Sequence, residues 1–152
     1  MRRRFAAILL LFAACAAQQL GRKSPVAEPE IVIEQLSSVA PAARNVAGPI
    51  SVHYRIHVRN VANEPVTLKR VDLGTVGYGS YGLGPTSRPF DVTIKPGSES
   101  SIEVWANAQI TDPSVTGANG PVTLRAVVLF YSSAGQLQTV VTQQVRSATA
   151  AD

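Results

Sequence analysis

Residues 121–145 constrain this chain more than any other stretch. They read Pro-Val-Thr-Leu-Arg-Ala-Val-Val-Leu-Phe-Tyr, then Ser-Ser-Ala-Gly, then Gln-Leu-Gln-Thr-Val-Val-Thr-Gln-Gln-Val. Two β-rich runs flank a short loop containing glycine, which is the pattern of a β-hairpin. Strand side chains alternate with period two, so Val122, Leu124, Ala126, Val128 and Phe130 share one face of the first arm. Leu137, Val141 and Val145 do so in the second, with Gln138, Thr142 and Gln144 opposite. A hairpin alone is marginally stable in water, so upstream strands must supply the surface on which it packs.

Those strands are legible. Ile31-Val32-Ile33 opens one that runs toward Val39. Val52, Tyr54, Ile56 and Val58 alternate with Ser51, His53, Arg55, His57 and Arg59, the pattern of a half-buried antiparallel strand. After a turn at residues 60–65, a third strand covers 66–73, with a phase slip between Leu68 and Val71 that suggests a bulge. Phe90, Val92 and Ile94 mark a fourth, and Lys95-Pro96-Gly97-Ser98 a Pro-Gly turn. Ile102, Val104 and Ala106 mark a fifth, followed by a long loop over 107–120. With the hairpin this makes seven strands. The best helix candidate, residues 40–47, is short, contains Pro41 and ends at Gly48-Pro49. The expected fold is an all-β, immunoglobulin-like antiparallel β-sandwich of about seven strands, without the Cys…Trp…Cys pattern of true immunoglobulin domains.

Composition agrees with one packed domain: the chain has 152 residues, 45% hydrophobic and 16% charged. Its formal charge of +4 is a property of one end. Arg2, Arg3 and Arg4 precede the apolar run 5–14, the layout of a secretory signal peptide and too short for a permanent membrane span. Removing that segment takes three of the 14 basic side chains and leaves 11 against ten acidic ones. That near balance leaves no electrostatic footprint for nucleic acid. One cysteine excludes an internal disulfide. It stands in Leu11-Phe12-Ala13-Ala14-Cys15-Ala16, which resembles a bacterial lipobox, with Phe12 where that motif usually has Leu. The resemblance implies lipidation of Cys15, cleavage before it and, with Ala16 following, sorting to the outer membrane facing the periplasm. The alternative is an ordinary cut nearby and a soluble exported protein. The expected organisation is a signal over 1–14, a flexible tether over 15–30, the sandwich over 31–147 and a disordered tail over 148–152.

Val58-Arg59-Asn60, Asn63-Glu64-Pro65-Val66 and Val71, followed by Ile94-Lys95-Pro96-Gly97-Ser98 and Ile102-Glu103-Val104, carry a further resemblance. The stretch is similar to bacterial immunoglobulin-like domains related to cell adhesion and, more distantly, to the late-embryogenesis-abundant type 2 fold. It covers about half of the domain. What it implies is a binding or structural module with no catalytic residues, departing from arrayed adhesion modules in its Gly/Tyr insertion and single copy.

Few residues offer chemistry. Gly77-Tyr78-Gly79-Ser80-Tyr81-Gly82 matches G-x-G-x-x-G, but the dinucleotide mechanism needs a helix to follow, and Pro85 and Pro89 follow instead. No cofactor is expected. Tyr78 and Tyr81 among glycine and serine have paratope chemistry, against the plainer reading of a flexible connector. His53 and His57 stand roughly 13 Å apart along one strand face, too far to share a metal. No metal site is expected there, and a solvated face with Arg55 and Arg59 is the plainer reading. Trp105 falls opposite Ile102 and Val104, either as a ring open to recognition or as a cover beneath a loop. No nucleophile–base constellation is visible, and the chain reads as no enzyme. The expectation is a non-catalytic envelope lipoprotein, anchored to the membrane through Cys15, that binds an envelope protein or serves a structural role. Residues 74–85 are the first candidate contact and Trp105 the second. The alternative is a soluble module binding a small ligand or sugar, or inhibiting an enzyme.

Overall fold

The computed structural model describes residues 26–39, 50–77, 79–111 and 121–146. The signal with Cys15, most of the tether, the helix candidate at 40–47, Tyr78, residues 112–120 and the tail lie outside the described residues. No helix among the described residues is long and apolar enough to cross a membrane.

Among the described residues eight strands follow in order: β1 (Glu30–Val39), β2 (Ile50–Arg59), β3 (Val66–Thr75), β4 (Tyr81–Leu83), β5 (Thr86–Ile94), β6 (Glu99–Ile110), β7 (Val122–Ser132) and β8 (Gly135–Val145). They form two antiparallel sheets. One has the order β1-β2-β6-β4, the other β5-β3-β7-β8. The two pack face to face as an immunoglobulin-like sandwich, with alternate residues of every long strand turned inward.

The core follows from that alternation. Val52, Tyr54, Ile56 and Val58 of β2 and Ile102, Val104, Ala106 and Ala108 of β6 are buried on one sheet. Val66, Leu68, Val71 and Leu73 of β3 and Val122, Leu124, Ala126, Val128 and Phe130 of β7 face them from the other. The slip in β3 is real: its register against both β5 and β7 shifts between Leu68 and Arg70, which puts Lys69 at the bulge and keeps Leu68 and Val71 on the core face.

Three expectations change. Among the described residues there are eight strands rather than seven, because the Gly-rich connector contains β4, paired with the end of β6 through Tyr81↔Ile110 and Leu83↔Ala108. The strand β6 runs to Ile110, so the loop expected from residue 107 starts later. The fourth expected strand begins at Thr86 and carries Pro89, tolerated because β5 is an edge strand.

Two turns at one end of the sandwich are joined by Asn60, which is 0% exposed. Its Nδ2 donates to the carbonyls of Glu64 at 2.8 Å and Ile94 at 3.0 Å, and its Oδ1 accepts from the Ala62 N–H at 2.9 Å. Its backbone N–H donates to Ser98 O, and its carbonyl accepts from Gly97 N–H. Gly97 takes φ of 70° behind Pro96, and Ser98 N–H closes the turn onto Lys95 O, the arrangement of a type II turn.

The opposite flank is closed by a side chain. Gln143 of β8 donates from Nε2 to Ile33 O at 2.8 Å and accepts from Ile33 N–H at 2.9 Å. Its amide copies a neighbouring strand's peptide group on the free side of β1. Replacing Asn60 by alanine leaves three backbone groups without their partner, and we expect a loss on the order of 3 kcal/mol in denaturant unfolding. A loss comparable to that of an exposed substitution would show that the two turns hold without it.

Candidate functional site

The outer face of the β1-β2-β6-β4 sheet gathers most of the polar chemistry. It carries Glu30, Val32 and Glu34 from β1, alternate residues from Ser51 to Arg59 of β2, and Glu99, Ser101, Glu103 and Trp105 of β6. Register decides who meets whom: Arg55 lies between Glu34 and Glu103, His57 between Val32 and Ser101, and His53 beside Trp105.

Opposite charges therefore face each other across strands. Arg55 Nη2 donates to Glu103 Oε1 at 3.0 Å, and the His53 ring reaches Glu103 Oε2 at the same distance. His57 lies 3.1 Å from Glu99, 2.9 Å from the Ser101 hydroxyl and 3.6 Å from Glu34. The hydrogen bond from Arg55, helped by the charge of His53, holds the Glu103 carboxyl below the usual glutamate range. Both histidines stand on the solvated strand face expected of them. Among the described residues no group of three or more His, Cys, Asp or Glu side chains could hold a metal ion.

Trp105 joins this face as an aromatic element. Its ring lies flat on His53, with centroids 4.0 Å apart and planes 8° from parallel, yet Trp105 remains 46% exposed. Beyond Leu83 the short strand β4 ends, so among the described residues β6 has no strand neighbour at Trp105 on the side away from β2. Arg88 of β5 occupies that side, donating to the Trp105 carbonyl at 3.3 Å. Among the described residues the ring is partly exposed. Its stacking partner was hidden from the sequence, because the register of β2 on β6 is a tertiary fact.

The Gly/Tyr connector is different from expectation. Tyr78 lies outside the described residues. Tyr81, expected on a binding loop, is 1% exposed and belongs to the core. Its hydroxyl donates to Gln35 Oε1 at 2.7 Å and lies 2.7 Å from the Tyr54 hydroxyl, which donates to it in turn. The physical reason is pairing: β4 adds to the edge of β6 and turns Tyr81 inward above Tyr54. Burial pushes the Tyr81 phenol up to about 12, against the opposing hydrogen bond from Tyr54, and drives Tyr54 far above the ordinary phenol range. The connector's end instead lines an open groove with Leu83 and Pro85, beside Asp72, Thr86 and Arg125.

No protein-family model matches the chain, and no curated protein matches its sequence. Solved structures do. The X-ray structure of target SoR45 of the Northeast Structural Genomics Consortium is 11% identical with a TM-score of 0.53, over 81% of this chain and 86% of that one. A protein from Archaeoglobus fulgidus is 10% identical with a TM-score of 0.47, over 82% of this chain and 97% of that one. A FixG-related protein from Vibrio parahaemolyticus is 12% identical with a TM-score of 0.36, over 82% and 100%. At such identities the first likeness shows the fold alone. The other two, with TM-scores under 0.5, add nothing to it.

Removing the Tyr81 hydroxyl with Tyr81→Phe leaves the buried Gln35 carbonyl oxygen without that donor. We expect a loss of about 1–3 kcal/mol by chemical denaturation, with the exposed face unchanged. Glu103 titrates lower folded than unfolded, so its stabilisation is present above the ordinary glutamate range and is lost as pH falls through the folded value. Stability profiles of the parent and Glu103→Gln should differ at neutral pH and converge in acid. Parallel profiles across that range would exclude the linkage.

Proposed function

We propose that the chain is an exported, lipid-anchored and non-catalytic envelope module that recognises another envelope protein through the outer face of the β1-β2-β6-β4 sheet. The observation that carries this reading is the Trp105–His53 stack, a large ring left open inside a lattice of paired charges. Tryptophan and arginine in such positions are the residues on which binding energy concentrates in protein interfaces. Both are held in place beforehand: His53 supports the ring, and Glu103 ties His53 to Arg55. Prior ordering of this kind lowers the entropy lost on binding.

The export and anchor belong to the same proposal and rest on the residues before the domain. Arg2-Arg3-Arg4, the apolar run after them and Cys15 supply the signal and the acylation site. More than one acyl chain makes such an anchor stable. The contact moves from the Gly/Tyr connector to Trp105, since Tyr81 serves the core.

The test is in-cell crosslinking with the native signal and a photoreactive residue at Asn107, on the Trp105 face of β6. We expect one dominant envelope protein to be captured, and capture to fall at least tenfold with Trp105→Ala. Cys15→Ala should abolish lipid incorporation and release the chain from the membrane fraction. Capture that survives Trp105→Ala would move the site away from this face. The absence of any captured protein would overturn the binding role.

A further inference from the structure

Edge strands are templates for another chain, and proteins blunt them with charge, proline, bulges or cover. Three of the four sheet edges here are treated in that way. The strand β1 carries Glu30 and Glu34, a register shift between Gln35 and Ser37, and the Gln143 amide over Ile33. Three residues are all that β4 has. Arg88, Pro89 and Asp91 interrupt β5.

The fourth edge, β8, carries none of these devices among the described residues. It is 11 residues long, reads Gly-Gln-Leu-Gln-Thr-Val-Val-Thr-Gln-Gln-Val, and contains no charged residue and no proline. Its register on β7 is unbroken from Val122↔Val145 to Ser132↔Gly135. Among the described residues its outer side has no strand partner.

The direction of its free hydrogen-bonding groups follows from β7. Thr123 O accepts from Val76 N–H, so Thr123 and its alternates up to Tyr131 point toward β3, and the residues between them point toward β8. The odd-numbered residues of β8 therefore bond to β7. Gln136, Gln138, Val140, Thr142 and Gln144 turn their backbone N–H and C=O groups outward. The same five lie on the outer face of the sheet, where Val140 is 46% exposed beside half-buried Val127.

We infer that β8 is a self-association edge, and that its partner is the β8 strand of a second copy of this chain. An antiparallel pair about a two-fold axis through Val140 sets Val140 against Val140, Gln138 against Thr142 and Gln136 against Gln144. Each pair keeps its side chains on one face, as a continuous sheet demands. Every pair is neutral, so no like charges oppose, and neither copy has to bury an unpaired ion. The outward groups of the five residues meet their counterparts in roughly ten backbone hydrogen bonds. The result is one eight-stranded sheet across two molecules, closed by its own symmetry. A foreign strand would meet the same backbone, but this sequence supplies its own match at each outward position. The surface is separate from the Trp105 face and does not depend on it.

Charge variants of the purified chain at Val140 test this. The parent should sediment as a dimer at high micromolar concentration. Val140→Lys and Val140→Glu should each be monomeric with unchanged far-ultraviolet circular dichroism, and an equimolar mixture of the two should restore the dimer. In a Cys15→Ser background, Val140→Cys should oxidise to a crosslinked dimer, because directly bonded partners lie about 5.5 Å apart at Cα, within disulfide reach. Gln136→Cys should not, since its own counterpart lies roughly 27 Å away. A monomeric parent, a mixture that stays monomeric, or equal crosslinking at residues 136 and 140 would each overturn the proposal.

Discussion

One asparagine holds both corners where the chain changes sheet at one end of the sandwich. The step from β2 to β3 leaves one sheet for the other, and the step from β5 to β6 returns. Asn60 belongs to the first corner by sequence and to the second by its bonds to Ile94, Gly97 and Ser98. Buried backbone groups at a corner have lost both water and ladder partners, so something must satisfy them. A single side-chain amide, with one acceptor and two donor hydrogens, answers for three of them.

Much of the fold was legible because a half-buried strand writes its two faces into the sequence. Residues 52–58 and 122–130 show it cleanly, and the slip between Leu68 and Val71 marked a bulge by breaking the same rhythm. The strand β4 was not legible. Three residues with a glycine at the centre have no period, and the preference for a short strand there comes from the edge of β6. The burial of Tyr81 was lost with it, since a tyrosine among glycines reads alike whether its hydroxyl meets water or Gln35. The end of β6 was within reach: Ala108 continues the alternation of Val104 and Ala106, but alanine marks a buried face weakly.

The candidate face divides in the same way. That His53, Arg55, His57 and Trp105 point outward follows from phase alone. Which carboxylate each basic group meets does not, because that depends on the registers that β1 and β6 adopt against β2. A shift of one residue would turn Trp105 into the core and Val104 outward, and the buried row from Ile102 to Ala108 is what forbids it. The face is therefore specified from behind, by apolar residues that take no part in its chemistry.

The amide of Gln143 closes onto Ile33 across 110 residues of sequence. Synthesis delivers the two ends in that order, and Ile33 emerges long before its clasp exists. Through nearly all of translation the nascent chain has β1 without its edge cover and β3 without β7 beside it. No truncated intermediate can be a finished sandwich. Until its last strand is made, one sheet lacks its final strand and the other lacks the amide that covers its edge.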